Sequence, residues 1–289
     1  MSVSVAGGAT GRVAVIGGGT MGRGIAYVFA AAGLPTTVVE PDGERGSALI
    51  GELAERARTG ADKGKLDPTA ADRLPELLDV VPDVSDLAAG LDLVVESVPE
   101  IPALKAEVLT AAEAREPHLL ASNTSSISID DLAGTLARPQ SFLGMHFFNP
   151  VWSLPLVEVV RGRASDERAI TTAQDYATTI GKDSIVVRDV PGFATSRLDN
   201  IAAFEAMRMV EEEVATAADI DKAAVLAYGH PIGPLRLSDV VGLDVRLDIA
   251  RHLSTVYGER YAAPAILERL VEQGHLGRKT GQGFYRWDR

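Results

Sequence analysis

His146 stands in "MHFFNP", between a methionine and two phenylalanines, and Glu158 follows twelve residues later in "LVEVV". Imidazole is the side chain best suited to take a proton near neutral pH. A carboxylate against one ring nitrogen fixes its tautomer and stabilises the imidazolium. A histidine on an apolar run also has a bland use, as a packed core residue with one partner for its ring N–H. Glu158 has one too, as a solvated strand residue. The pair alone does not decide.

A second group is "ASNTSSIS", where Asn123, Thr124, Ser125 and Ser126 follow a β-rich run. Ligands of open α/β sheets bind outside the carboxyl ends of strands. Asn123 and Ser125 could equally cap a helix starting near Ile127. Asn149, before Pro150, reads as a ligand-facing amide or as a turn residue. Lys105, in "VPEIPALK", reads as a site lysine or as an exposed helix lysine.

A third group is "VAVIGGGTMGRGIA", which holds Gly17, Gly19 and Gly22 in a G-x-G-x-x-G spacing between a strand and a helix. In that context Gly17 makes the tight turn, Gly19 lets backbone approach a pyrophosphate, and Gly22 lets helix and strand pack closely. Glu40 ends the next strand, 18 residues past Gly22. An acid there accepts from ribose hydroxyls and repels a 2′-phosphate, which favours NAD over NADP. Arg45 nearby weakens that exclusion slightly.

These residues need a scaffold. The runs "RVAVIG", "TTVVE", "LDLVVESV", "HLLASNTS", "SFLGMHFF", "PLVEVV" and "DSIVVR" read as strands, with helical patterns among the first of them. That alternation predicts a mostly parallel sheet of βαβ units. After about Asp189 the patterns are helical only, so the expected boundary separates an α/β dinucleotide-binding domain, residues 1–188, from an all-helical domain, residues 189–289. "LSDVVGLDVRLDIARHLSTVYG" reads as one helical stretch.

The chain of 289 residues has a formal net charge of −12 and no cysteine. The charge argues against general nucleic-acid or membrane-surface binding, and the missing thiols exclude disulfides and cysteine-based metal sites. No metal site is expected. The first residues lack the pattern of a signal peptide and no apolar run approaches a membrane span, so a cytoplasmic protein is expected.

Taken with "GGGTMGRGIA", "VVESVPE", "SNTSSI", "GMHFFNP", "LVEVV", "PGFATSR", "PIGPLRLSDVVGLD" and "GRKTGQGFY", the chain resembles the 3-hydroxyacyl-CoA dehydrogenases from about Arg12 to Tyr285. Short bacterial 3-hydroxybutyryl-CoA dehydrogenases are the nearest type. The resemblance implies a Rossmann-type first domain and a helical second domain that carries a homodimer interface. It implies that His146 takes the proton of a substrate 3-hydroxyl, that Glu158 pairs with it, and that Ser125 and Asn149 lie near the reacting oxygen and the thioester. It also places Gly17, Gly19, Thr20, Met21, Gly22, Glu40, Glu100, Lys105 and Asn123 around NAD. The helical hairpin with Arg56, Arg58, Lys63 and Lys65 would meet the coenzyme A moiety or the acidic surface of an acyl carrier protein; a solvated face is the plainer reading.

Three positions depart from the family's pattern. Ser196 stands in "PGFATSR" where the family usually has asparagine, "VWSLP" puts Trp152 near the expected mouth of the site, and Glu40 replaces the more common aspartate. The first two lie on the substrate side and leave the acyl group open. A short acyl-CoA, a polar acyl group such as glyceryl on an acyl carrier protein, and a free hydroxy acid of the carnitine or gulonate type are the alternatives. A non-catalytic NAD-binding protein on the same fold is a fourth, against which the retained His146 and Glu158 argue.

Overall fold

The computed structural model describes residues 11–288. Eight strands form one sheet in the order β3-β2-β1-β4-β5-β6-β7-β8. They are β1 (Val13–Ile16), β2 (Thr36–Val39), β3 (Leu78–Val81), β4 (Leu93–Glu96), β5 (Leu119–Ser122), β6 (Phe142–Phe147), β7 (Leu156–Arg161) and β8 (Asp183–Arg188). The pairings are parallel except β6 with β7. Strands β1, β4, β5 and β6 are buried along their whole length. Covering both faces requires helices, and this explains near-continuous valine and leucine in place of alternation. Helices α1 (Thr20–Ala31), α2 (Gly43–Asp62), α3 (Pro68–Arg73), α4 (Pro102–Glu113), α5 (Ile129–Ala133) and α6 (Glu167–Thr179) belong to this unit.

The strand order reverses at β1, between β2 and β4, which opens a crevice at their carboxyl ends. Gly17 turns the chain there at φ +103, a backbone state that glycine adopts without strain. A Cβ on Gly22 would lie 1.7 Å from the Gly17 carbonyl oxygen. Helix α1 therefore rests on the turn only because Gly22 has no side chain. We expect Gly22→Ala to lower Tm by several degrees in calorimetry, since relieving such overpacking costs about 1–3 kcal/mol or more. An unchanged Tm would mean the helix can slide away freely.

The chain divides into two compact units, one ending at Val190 and the other beginning at Pro191. The second unit contains α7 (Thr195–Glu211), α8 (Ala217–Tyr228), α9 (Pro234–Val241), α10 (Leu243–Tyr257) and α11 (Ala265–Glu272). Its core gathers Phe204, Met207, Leu235, Leu243, Leu247, Leu253 and Leu267. The stretch from Leu237 that reads as helical is two helices, divided at Gly242, whose φ of +109 no helix can carry. Asp239 is structural: its carboxylate accepts from the Phe284 and Tyr285 amides and the Trp287 indole at 2.8–2.9 Å, pinning the final turn.

Candidate active site

A cleft of about 800 Å³ runs along the carboxyl ends of β1, β2, β4, β5 and β6 within the first unit. Gly17, Gly19, Thr20, Met21 and Glu40 line one stretch of its wall, and Glu100, Lys105, Asn123, Ser125, His146 and Asn149 another.

His146 and Glu158 are directly opposed on the antiparallel strands β6 and β7. Opposed residues put their side chains on the same sheet face, within reach of each other. The result is a contact of 2.8 Å between His146 Nδ1 and Glu158 Oε2. Glu158 is fully buried and His146 is 7% exposed, so this carboxylate is not a solvated strand residue. Phe148 packs on the imidazole with ring centroids 4.4 Å apart.

Asn123 ties three strand ends together. Its amide N–H donates to Glu96 O at 2.8 Å, its Nδ2 to Ser97 Oγ at 3.4 Å, and its Oδ1 accepts from the Phe147 N–H at 2.9 Å. The loop after it hangs on Glu100. Oε1 of Glu100 accepts from Thr124 Oγ1 at 2.6 Å, the Ser125 N–H at 2.9 Å and the Ser126 N–H at 3.1 Å, with the Ser125 and Ser126 hydroxyls at 3.3 and 3.1 Å. Burial alone would raise the Glu100 pKa, but the Thr124 hydroxyl, the Lys105 ammonium and the Ser125 amide together hold it below the usual glutamate value. The helix cap in this region is Ser128, which accepts from the Asp131 N–H, so Asn123 and Ser125 do not cap α5.

Lys105 is 1% exposed, not a solvated helix lysine. Its Nζ donates to Glu96 Oε1 at 2.7 Å and to Val98 O at 3.1 Å, and lies 3.3 Å from Glu100 Oε2. Glu96 is fully buried and also accepts from the Val98 N–H at 2.7 Å and from Ser122 Oγ at 2.5 Å. Sequence reasoning missed Glu96, Ser122 and Thr124 as supports. The available signal was a glutamate inside "LDLVVESV", a run otherwise too apolar to carry an unpaired charge.

Fit for a dinucleotide is tested by the glycine turn. A Cβ on Gly19 would meet nothing within 4 Å, so open space lies over the turn. Helix α1 has no side-chain cap and no acidic residue in its first turn. Its N-terminal N–H groups are thus left for an anionic ligand, which suits a diphosphate. Glu40 is 4% exposed, and its carboxylate accepts from the Gly18 N–H at 3.1 Å, the Asp42 N–H at 2.9 Å and Arg45 at 3.0 Å. Three donors leave a carboxylate of about four acceptor sites with room for a ribose hydroxyl. The residues present fit NAD. Removing a charged acceptor costs about 1.5–3 kcal/mol. We therefore expect Glu40→Ala to weaken NADH binding roughly tenfold or more and to narrow the NADH-over-NADPH preference, read by titrating cofactor fluorescence. Equal loss for both cofactors would remove Glu40 as the selector.

Trp152, Lys63 and Lys65 do not line this cleft. They line a separate hollow of about 400 Å³ with Tyr27, Arg56 and the 179–181 turn. The Arg56 guanidinium lies 3.7 Å from the centroid of the Trp152 ring, and Tyr27 meets that ring edge-on at 6.2 Å. Ser196 belongs to the second unit, in the first turn of α7, where its carbonyl accepts from Asn200 Nδ2 at 2.7 Å. Among the described residues no cluster of three or more metal-ligating side chains occurs, and no helix is long and apolar enough to cross a membrane.

Residues 12–190 match the 3-hydroxyacyl-CoA dehydrogenase NAD binding domain, and residues 192–287 match the 3-hydroxyacyl-CoA dehydrogenase C-terminal domain. A 3-hydroxybutyryl-CoA dehydrogenase of Mycobacterium tuberculosis is 42% identical over 279 residues, 95% of this chain and 97% of the relative. A probable 3-hydroxybutyryl-CoA dehydrogenase of Bacillus subtilis is 36% identical over 280 residues, 96% of this chain and 97% of the relative. The crystal structure of (S)-3-hydroxybutyryl-CoA dehydrogenase from Ralstonia eutropha superposes with a TM-score of 0.91 at 33% identity, covering 97% of this chain and 100% of that one. With both domains matched in order along nearly the whole length, the chain belongs to the 3-hydroxyacyl-CoA dehydrogenase family.

Proposed function

We propose that the protein oxidises a 3-hydroxyacyl thioester of the 3-hydroxybutyryl-CoA type to the 3-oxoacyl thioester, reversibly, with NAD. The observation that carries this reading is the buried His146–Glu158 contact of 2.8 Å at the wall of a cleft that fits a dinucleotide. A carboxylate accepts, so Nδ1 of His146 carries hydrogen and Nε2 is the nitrogen that takes the proton of the substrate 3-hydroxyl. Glu158 stabilises the imidazolium so formed. Ser125 and Asn149 hold the developing carbonyl. When bound, NAD supplies the acceptor for the hydride from C3. Gly17, Gly19, Thr20 and Met21 hold its diphosphate, Gly22 lets α1 pack against that turn, and Glu40 holds its ribose. Glu100, Lys105 and Asn123 hold the loops at the reacting end. The names of the relatives at 42% and 36% identity support the substrate class.

Lys63, Lys65 and Trp152, with Arg56, form the seat for the thioester's anionic handle, and Ser196 is a substrate contact from the helical domain. The Rossmann-type domain spans 1–188 and the helical domain 189–289. The latter exposes Leu198, Val214, Leu226 and Tyr228 at 59–81%, which supports a homodimer formed through it. An enzyme without cysteines fits the reducing cytoplasm.

The test is NADH consumption by the purified protein with acetoacetyl-CoA, beside the same acyl group on an acyl carrier protein. Turnover of the coenzyme A ester is expected. Activity on the carrier thioester alone would transfer the same chemistry to a carrier-bound, polar acyl group, a reading that the departures at Trp152 and Ser196 favour. No turnover of either would overturn the proposal.

A further inference from the structure

The segment between β6 and β7 connects the two sites just described. His146 and Asn149 line the cleft, whereas Trp152 and Ser153, three and four residues beyond Asn149, line the basic hollow. In between, the chain forms a tight turn in which the Ser153 and Leu154 amides donate to Pro150 O at 3.0 and 3.1 Å. The turn is not held by its own bonds alone. Lys182, between α6 and β8, is 8% exposed, and its Nζ donates to Val151 O and Leu154 O, both at 2.6 Å. Among the described residues no carboxylate pairs with this ammonium. A buried charge satisfied by two carbonyls of one turn is a directional clamp, because losing either carbonyl leaves the cation short of partners. On its far side the turn presents Trp152 as a platform under Arg56.

We infer that Lys182 and Trp152 are positioning residues for the reaction: the turn Pro150–Leu154 transmits occupancy of the basic hollow by the substrate's anionic handle to the placement of Asn149 and His146. The inference rests on the proposed thioester dehydrogenase function. Binding energy from a remote part of a substrate raises kcat only if it is used to order the reacting end. A hollow that merely anchored the handle would change KM alone. A clamped turn shared with the site makes the handle count in kcat.

The experiment compares kcat for acetoacetyl-CoA with kcat for acetoacetyl-pantetheine, which keeps the thioester and lacks the nucleotide handle. In the parent protein kcat should be at least about tenfold higher with the coenzyme A ester. In Trp152→Ala and in Lys182→Met that ratio should fall to within about twofold. Lys182→Arg and Trp152→Phe, which keep a cation and a ring, should recover part of it and cover the case in which the first variants fold poorly. A second readout needs no turnover. In a Trp287→Phe background, where Trp152 is the remaining tryptophan, coenzyme A alone should change tryptophan fluorescence. A parent ratio near one, with only KM differing, would overturn the inference and leave the dehydrogenase reading standing. So would a ratio preserved in all variants. No turnover of either thioester would instead sink the functional reading.

Discussion

Replacing His146 by Gln should lower kcat by about 10²–10⁴-fold while NADH still binds with its parental affinity. The amide keeps a hydrogen-bonding group facing Glu158 but cannot take the hydroxyl proton, so the chemical step loses its base. Steady-state kinetics with acetoacetyl-CoA, alongside an NADH fluorescence titration and a melting curve, separate that loss from unfolding. His146 is buried, and its partner is fully buried. A modest fall in Tm is therefore expected as well, because the buried Glu158 carboxyl loses the imidazole packed against it. A kcat within tenfold of the parent, with binding intact, would return His146 to the status of a packed core histidine.

The second large effect is expected at Lys105. Its ammonium sits between Glu96 Oε1 and Glu100 Oε2 at 2.7 and 3.3 Å with almost no solvent contact. Breaking a buried pair by removing one partner costs about 3–5 kcal/mol, since the other charge is left without compensation. Lys105→Met should thus lower Tm by on the order of 10 °C. It should also lower kcat, because Glu100 would lose the cation that holds it beneath Ser125 and Ser126. The same logic sets a pH dependence. The folded-state pKa of Glu100 is depressed, so its contribution is present above the ordinary glutamate range and is lost as pH falls through that range and below. Lys105→Met should raise the pH at which the loop loosens on acidification, followed by hydrogen exchange at 124–127. A parental melting curve would mean that the buried Glu96 tolerates the loss of its cation.

The sequence made the nucleotide-binding half of the cleft legible because its signals are local. Turn, helix and acid follow one another in a short stretch, and Gly17 and Gly22 each answer to a steric demand nearby. The His146–Glu158 pair was suggested by its residue types and by the family resemblance; the structure adds that a spacing of twelve spans two neighbouring antiparallel strands. What could not be read was long-range. Strand β3 escaped notice because only Leu78 is buried in a four-residue edge strand interrupted by Asp79. The burial of Lys105 depends on Glu96, nine residues away on the preceding strand, and "PALKAEVL" by itself looks like any exposed helix. Trp152 was expected at the mouth of the site. Its neighbour Arg56 comes from α2, nearly a hundred residues earlier, and no spacing rule brings those two together.

The lone antiparallel pairing of the described sheet makes this part of the site modular. His146 and Glu158 both arrive on one short hairpin, residues 142–161, and need no agreement between distant parts of the chain. A one-residue slip of one strand against the other would leave His146 and Glu158 on opposite faces. The tip is where Trp152, Ser153 and Leu154 stand. A substitution confined to the tip can therefore alter what surrounds His146 while its contact with Glu158 stays within one self-contained module.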